Sequence, residues 1–135
     1  MGSGIAGLIG VRDLLGLKTE IIGVVAAMAP ATALSFSAGR PIAAQSARTF
    51  ADGLATREPH AAAVATICSG AARIVEVTED SIAEAIRIYF DDTHQVAEGA
   101  GAAPLAALLQ ERRRMQNKTV AVILSGGNIE RARFQ

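Results

Sequence analysis

The sequence is poor in several residue types, and each shortage excludes a class of protein. Its 135 residues include one cysteine, one tyrosine and no tryptophan. The single cysteine, Cys68, cannot form an internal disulfide, which excludes a disulfide-built scaffold and predicts a cytoplasmic protein. Lys and Arg together number 13, and so do Asp and Glu. This zero net charge gives no support for a nucleic-acid partner or an anionic membrane surface.

Long apolar runs are also missing. None approaches the ~20 residues that a membrane-spanning helix needs, so we expect no membrane partner. The first residues are rich in glycine and lack a basic stretch followed by an apolar core, so we expect no signal peptide.

The residues that are abundant favour one α/β domain over 1–135. Half of the chain is apolar, which is enough for a core in a domain of this size. Helical and strand patterns alternate, and this order predicts a mostly parallel sheet flanked by helices. The predicted helices are 5–15, 31–38, 59–68, one that follows the N-cap Thr78 and ends before Thr93, and 96–115; the predicted strands are 20–26, 73–77 and 119–124.

The most informative motif is Ser125-Gly126-Gly127-Asn128, which directly follows the apolar run 119–124. This pattern predicts a buried strand that delivers a hydroxyl group and a bare backbone turn to the carboxyl edge of the sheet. Open α/β sheets bind their ligands at that edge. A tight turn with an Asn cap is the plainer alternative, although two adjacent glycines carry a cost in backbone entropy.

A second glycine pattern, Gly2-x-Gly4-x-x-Gly7, opens the chain and leads into the first helix. Its letters match a dinucleotide-binding fingerprint, and Glu20 follows near the expected distance. That fingerprint requires a preceding strand, and its acid should end a strand, whereas Glu20 begins one. Backbone amides that hold a phosphate at a helix N-terminus are the more economical interpretation. A simple turn stays open as a third.

Other polar residues give weaker signals. Glu98 precedes a glycine-rich helix, where a role in helix capping and a role in a binding site are equally plausible. His60 and His94 stand far apart and are predicted to be surface or capping residues. Cys68 is predicted to be a small apolar core residue. No spacing predicts a metal site, and no Gly-x-Ser-x-Gly motif supports a hydrolase.

Taken together and in order, five segments resemble the serine/threonine dehydratase family of pyridoxal-phosphate enzymes, the fold-type II or tryptophan synthase β-like group. The resemblance covers essentially the whole chain, which is similar to the C-terminal portion of those enzymes. The segments are Met1–Leu8, Leu17–Val24, Thr49–Ala55, Thr93–Ala102 and Val122–Asn128.

The resemblance implies the fold, the cofactor and the roles of particular residues. The fold would be part of the large domain of a fold-type II enzyme, and the cofactor would be pyridoxal 5'-phosphate in an incomplete site. The implied reaction removes water from a hydroxyamino acid such as threonine or serine, and yields a 2-oxo acid and ammonia. Ser125 matches the serine that hydrogen-bonds the pyridine nitrogen. The other implied cofactor-binding residues are Gly2, Ser3 and Gly4 for the phosphate, Gly53 beside the cofactor, Glu98 near the ring, and Gly126.

The chain also departs from the pattern of that family. The lysine that bonds to the cofactor lies in a Ser-x-Lys-like motif of the N-terminal part, and neither Lys18 nor Lys118 stands in such a motif. We therefore expect no catalytic residue in this chain and no activity from it alone. Relatives with a cation site carry acidic residues in the segment that corresponds to 25–31 of this chain. Because 25–31 contain no acidic residue, we expect no metal site.

Two other functions stay open. The chain could be a non-catalytic assembly module that pairs with a separate N-terminal half. The other alternative is a nucleotide-binding domain related to the Rossmann fold, which only the glycine pattern supports. In the complete enzyme the small-molecule partner would be an amino acid, and we expect a homo-oligomer because a truncated sheet exposes an unpaired edge.

Overall fold

The computed structural model describes residues 2–134, and side chains as far as Ala132. The chain forms helices and two strands, in the order that the sequence predicts as far as α5. The elements are α1 (Ser3–Leu14), β1 (Ile21–Ala26), α2 (Ala31–Ala38), a 3-10 turn (Asp52–Leu54), α3 (Ala61–Gly70), β2 (Ala71–Val77), α4 (Glu79–Thr93), α5 (Gly99–Gln110) and α6 (Arg131–Phe134).

The sheet of the described chain consists of β1 and β2, which pair in parallel. The register runs from Ile22 opposite Arg73 to Ala26 opposite Val77. Parallel pairing requires a crossover, which α2 and α3 supply. The prediction of an α/β fold with a parallel sheet is thus confirmed.

Local signals in the sequence account for most of the element ends. The Thr78 hydroxyl accepts a hydrogen bond from the backbone N–H of Ser81 at 3.2 Å, so α4 has the predicted N-cap. His60 caps α3 by accepting from the N–H of Ala62 at 3.3 Å, which confirms its capping role. The C-cap of α2 is Gly39 with a φ of 65°, a left-handed conformation that glycine adopts at little cost.

Small residues dominate the core, and they allow helices to pack closely on the sheet. Ala26, Val77, Ile82, Ala85 and Ala102 have no solvent exposure. One face of α4 contributes Ile82, Ala85 and Ile86 to this core. Among the described residues no helix is both long enough and apolar enough to span a bilayer.

The predicted strand 119–124 is wrong. The segment forms no strand, and Val120 and Ile123 are 41% and 49% exposed. Within the described residues, Thr119 to Ser125 make no backbone hydrogen bond to the sheet. A strand requires a neighbour to pair with, and a groove separates this segment from β1. The high β-propensity of these residues is therefore not sufficient for a strand.

The predicted helix 96–115 is too long at both ends. The observed α5 begins at Gly99, because Val96 and Glu98 contact the turn at 126–127. It ends at Gln110, and a series of turns follows. Just past this end, the Glu111 side chain is only 19% exposed and pairs with Arg73 of β2.

Candidate functional site

The turn after residue 125 is held by Glu98, which lies directly before α5. The Glu98 N–H donates to the Gly126 carbonyl at 3.0 Å. Its carboxylate Oε2 accepts from the N–H of Asn128 at 3.2 Å. Glu98 thus binds both sides of Gly127 and fixes the turn against the start of α5.

Close packing explains why this turn is made of glycine. A Cβ at Gly126 would lie 2.5 Å from a Glu98 carboxylate oxygen. One at Gly127 would lie 2.5 Å from the Val96 carbonyl oxygen, and one at Gly101 would lie 2.6 Å from the Gly126 carbonyl oxygen. Side chains at these positions would push the turn away from α5, so the motif is more than a simple connection.

The loop that carries Gly53 packs against the same end of α5. A Cβ at Gly53 would lie 2.7 Å from the Ala100 Cβ. Glu79 holds this loop, because its Oε2 accepts from the Thr49 hydroxyl at 3.1 Å and from the N–H of Phe50 at 3.0 Å. The sequence placed Glu79 at a helix start but carried no signal for its second role.

A groove of about 740 Å³ lies between β1 and the segment 118–125. Gly4 of α1 and Ser125 both line it, together with Leu54 and Ala100. The structure therefore brings the two predicted glycine motifs to one groove. Gly53, Glu98 and Gly126 lie beside it, through their contacts with Ala100 and the 126–128 turn.

The N-terminus of α1 has the features expected of an anion site. Gly2 has a φ of 87°, and α1 has no side-chain cap. The first backbone hydrogen bond of the helix is donated by Ala6 to the Gly2 carbonyl, which leaves earlier amides such as those of Ser3 and Gly4 for a ligand. A Cβ at Gly4 would meet nothing within 4 Å, so there is room beside this turn.

Thr19, Glu20, Lys118 and Thr119 also line this groove, whereas His94, Cys68 and Tyr89 lie outside it. His94 ends α4 with a φ of 55°, and the Cys68 thiol is 3.9 Å from the Phe36 carbonyl oxygen. The Tyr89 hydroxyl is buried without a hydrogen-bond partner among the described residues, and burial raises the pKa of Tyr89. Within the same part of the chain, no three His, Cys, Asp or Glu residues are grouped as metal ligands.

Comparison with known proteins identifies the family. Residues 1–126 match the family described as pyridoxal-phosphate dependent enzyme. The chain belongs to this family. The match extends from the glycines that open α1 to Gly126 in the turn beside Glu98, and it favours the dehydratase resemblance over the dinucleotide-binding alternative.

The relatives and solved structures are similar enzymes of greater length. The chain is 41% identical over 112 residues to the L-threonine ammonia-lyase of Geobacter sulfurreducens, covering 82% of this chain and 28% of that protein. It is 31% identical over 134 residues to the catabolic L-threonine dehydratase of Escherichia coli, covering 98% of this chain and 41% of the relative.

A solved structure extends the likeness to three dimensions. The processed form of threonine deaminase isoform 2 from Solanum lycopersicum matches with a TM-score of 0.89 and 29% identity. The match covers 98% of this chain and 39% of that one. The predicted family and the fold-type II architecture are thus confirmed, and the chain spans well under half the length of these relatives.

Proposed function

We propose that this chain forms the C-terminal part of a threonine or serine ammonia-lyase that requires pyridoxal 5'-phosphate. The proposed reaction removes water from a hydroxyamino acid, and hydrolysis of the resulting enamine then releases ammonia and yields a 2-oxo acid. One observation carries the proposal: Glu98 holds the 126–128 turn so that Ser125 lines the same groove as Gly4 at the uncapped start of α1.

The residues present fit the cofactor at both of its polar ends. The start of α1 offers free backbone amides and open space at Gly4, which suits a phosphate group. Ser125 offers a hydroxyl group, which suits a pyridine nitrogen because it can donate a hydrogen bond while remaining neutral. When bound, the cofactor supplies an electron sink for the carbon that loses its proton.

In this proposal the remaining residues position the groups that touch the cofactor. Gly53 and Gly126 keep the backbone close to the ring, because a side chain at either position would collide with Ala100 or Glu98. Glu98 fixes the turn through two hydrogen bonds and would lie near the ring.

We further propose that the lysine that bonds to the cofactor lies outside this chain. Lys18 lies in the exposed connection before β1, and Lys118 begins the exposed segment that leads to Ser125. Lys118 lines the same groove as Ser125, but neither lysine stands in a Ser-x-Lys-like motif. The metal-free site and the cytoplasmic location expected from the sequence stay predictions.

A chimera tests the role of Ser125. In the Geobacter sulfurreducens enzyme, this chain would replace the 112 residues that it matches. We expect the chimera to deaminate threonine and Ser125→Ala to lower kcat by about tenfold or more, because one hydrogen bond to the cofactor is lost.

Ser69→Ala is the matched control, because the Ser69 hydroxyl bonds only to a carbonyl of its own helix. It should leave kcat within about twofold, since exposed substitutions of this kind change little. A chimera that folds and binds the cofactor but deaminates threonine equally well with Ser125→Ala would remove the assignment of this residue.

A further inference from the structure

The carboxylate of Glu79 lies in a setting that its place at a helix start does not explain. Thr78 already caps α4, because its hydroxyl accepts from the Ser81 N–H at 3.2 Å. A carboxylate that served only the helix dipole could stay in water. In Glu79, Oε2 accepts two hydrogen bonds from the loop at 49–50, and Oε1 is buried without a hydrogen-bond partner among the described residues. Burial of an unpaired oxygen is unfavourable, so the side chain is held toward this loop although it loses hydration.

The loop from 49 to 54 is joined to α4 at its start. A backbone hydrogen bond within the loop, from the Leu54 N–H to the Ala51 carbonyl at 2.7 Å, joins near neighbours. The bonds to Glu79 instead join positions that are 29 and 30 residues apart. The Thr49 hydroxyl donates to Glu79 and also accepts from the Ala51 N–H at 3.1 Å, so it passes the anchor on to the next turn of the loop.

The rest of this loop packs against the first turn of α5, beside the candidate site. Ala51 is buried, and a Cβ at Gly99 would lie 2.8 Å from the Ala51 Cβ. A Cβ at Gly53 would lie 2.7 Å from the Ala100 Cβ, and Leu54 lines the groove. Because one added carbon would collide at either glycine, the loop and the helix are packed without free space. A shift at the start of the loop would therefore move Gly53.

Two carboxylates thus hold the two loops that meet at the start of α5. Glu98, directly before α5, binds the 126–128 turn that follows Ser125. Glu79, the first residue of α4, binds the loop that carries Gly53. Each carboxylate uses its oxygen to accept backbone N–H groups of a loop that has no other element between it and the groove residues. The two contacts are equivalent in kind, although only Glu98 adjoins the turn after Ser125.

We propose that Glu79 is a positioning residue of the cofactor site, which acts through the 49–54 loop and sets where Gly53 stands relative to the cofactor. Glu79 itself touches neither cofactor nor substrate. This role rests on the proposed function, because that function puts Gly53 beside the cofactor. The requirement is geometric: a hydrogen-bond acceptor must reach the loop, whereas the negative charge is not needed.

Two substitutions of Glu79 separate an acceptor at the loop from a charge at the helix start. Glu79→Gln keeps the length of the side chain, and its amide oxygen can accept from the loop, but the charge is lost. Glu79→Asp keeps the charge and withdraws the carboxylate by about 1.5 Å, beyond hydrogen-bond distance from Thr49 and Phe50. Asp80→Asn, at an exposed position of the same turn, is the control for loss of charge.

Amide hydrogen exchange in the chain itself, followed by NMR, measures the hold on the loop without any cofactor. We expect Glu79→Asp to speed exchange at Phe50 and Ala51 about tenfold or more, and Glu79→Gln and Asp80→Asn to keep both rates within about threefold. Thr49→Val tests the contact from the loop side, because it removes the hydroxyl that bonds to Glu79 and leaves α4 unchanged. It should also speed exchange at Ala51, and circular dichroism verifies folding of each variant.

Cofactor affinity in the chimera with the Geobacter sulfurreducens enzyme measures the consequence for the site. The chimera would be stripped of cofactor and titrated with pyridoxal 5'-phosphate, with the absorbance of the bound cofactor as the signal. We expect Glu79→Asp and Thr49→Val to raise the Kd for the cofactor about tenfold or more, and Glu79→Gln to keep it within about threefold.

Each result decides the proposal. Unchanged exchange in Glu79→Asp overturns it, and so does a Glu79→Asp chimera that binds the cofactor as tightly as the unmodified one. Equal losses in Glu79→Gln and Glu79→Asp would show that the charge matters and also overturn it. If Glu79→Asp does not fold, Thr49→Val decides by the same criteria. An unmodified chimera that folds but binds no cofactor refutes the proposed function instead, and the link from the loop to the cofactor with it.

Discussion

Glu79 connects the first turn of α4 to the loop that carries Gly53. One carboxylate oxygen accepts hydrogen bonds from Thr49 and Phe50, and the other is buried without a partner in the described structure. A side chain that appears from the sequence to serve the helix dipole therefore also positions a loop of the candidate site.

This double role predicts an unequal effect of two neighbouring substitutions. Glu79→Ala should lower the free energy of unfolding by about 2 kcal/mol, because two hydrogen bonds to a charged group are lost. Asp80→Ala, at an exposed position of the same helical turn, should cost only about 0.5 kcal/mol through the dipole. Urea unfolding measures both, and equal losses would show that the loop contacts contribute nothing.

At the scale of elements, an ion pair joins β2 to the end of α5. The Arg73 guanidinium donates to Glu111 from Nε at 3.2 Å and from a second nitrogen. The Arg73 hydrogen bonds hold the pKa of Glu111 below its ordinary value. Because the pKa is lower in the folded protein, the pair stabilises the fold above the unfolded pKa of about 4.3 and loses this effect as pH falls through the folded value.

We therefore expect Glu111→Gln to reduce the dependence of the free energy of unfolding on pH in the acid range. The free energy of unfolding of the unmodified chain should fall more steeply below about pH 4.3 than that of the variant. Glu84→Gln, on an exposed position of α4, is the control and should keep the original slope. Urea titrations at a series of pH values measure this, and parallel curves for Glu111→Gln would contradict the assignment.

At the scale of the whole molecule, our proposal makes the groove beside β1 part of a larger site. The two paired strands leave a groove open toward β1, and large apolar residues such as Val120 and Ile123 stay exposed. Gly4 and Ser125 line this groove, whereas neither Lys18 nor Lys118 stands in a Ser-x-Lys-like motif. A chain that positions cofactor-binding residues but lacks the lysine that bonds to the cofactor should bind without turnover.

The purified chain should therefore show no threonine deamination above background. Release of 2-oxo acid from threonine would be measured with added pyridoxal 5'-phosphate, in material made in a host that lacks its own threonine dehydratases. Lys18→Ala with Lys118→Ala is the companion variant. If the unmodified chain deaminates threonine and this variant does not, one of these lysines forms the bond to the cofactor, and the proposal is refuted.

The sequence alone determined the features that depend on neighbours along the chain. Thr78 starts α4, Gly39 ends α2, and the apolar run that contains 21–26 becomes β1, because caps and buried runs act over a few residues. The glycine turns and Ser125 were recognised by their order and type, and that order led to the correct family.

Only the tertiary structure decided the features that join distant residues. The Glu98–Asn128, Glu79–Phe50 and Arg73–Glu111 bonds span 30, 29 and 38 positions. The segment 119–124 has the composition of a buried strand, yet it forms none because the space beside it holds no strand of the described chain. Propensity describes what a segment can form, and pairing across the fold determines whether it does.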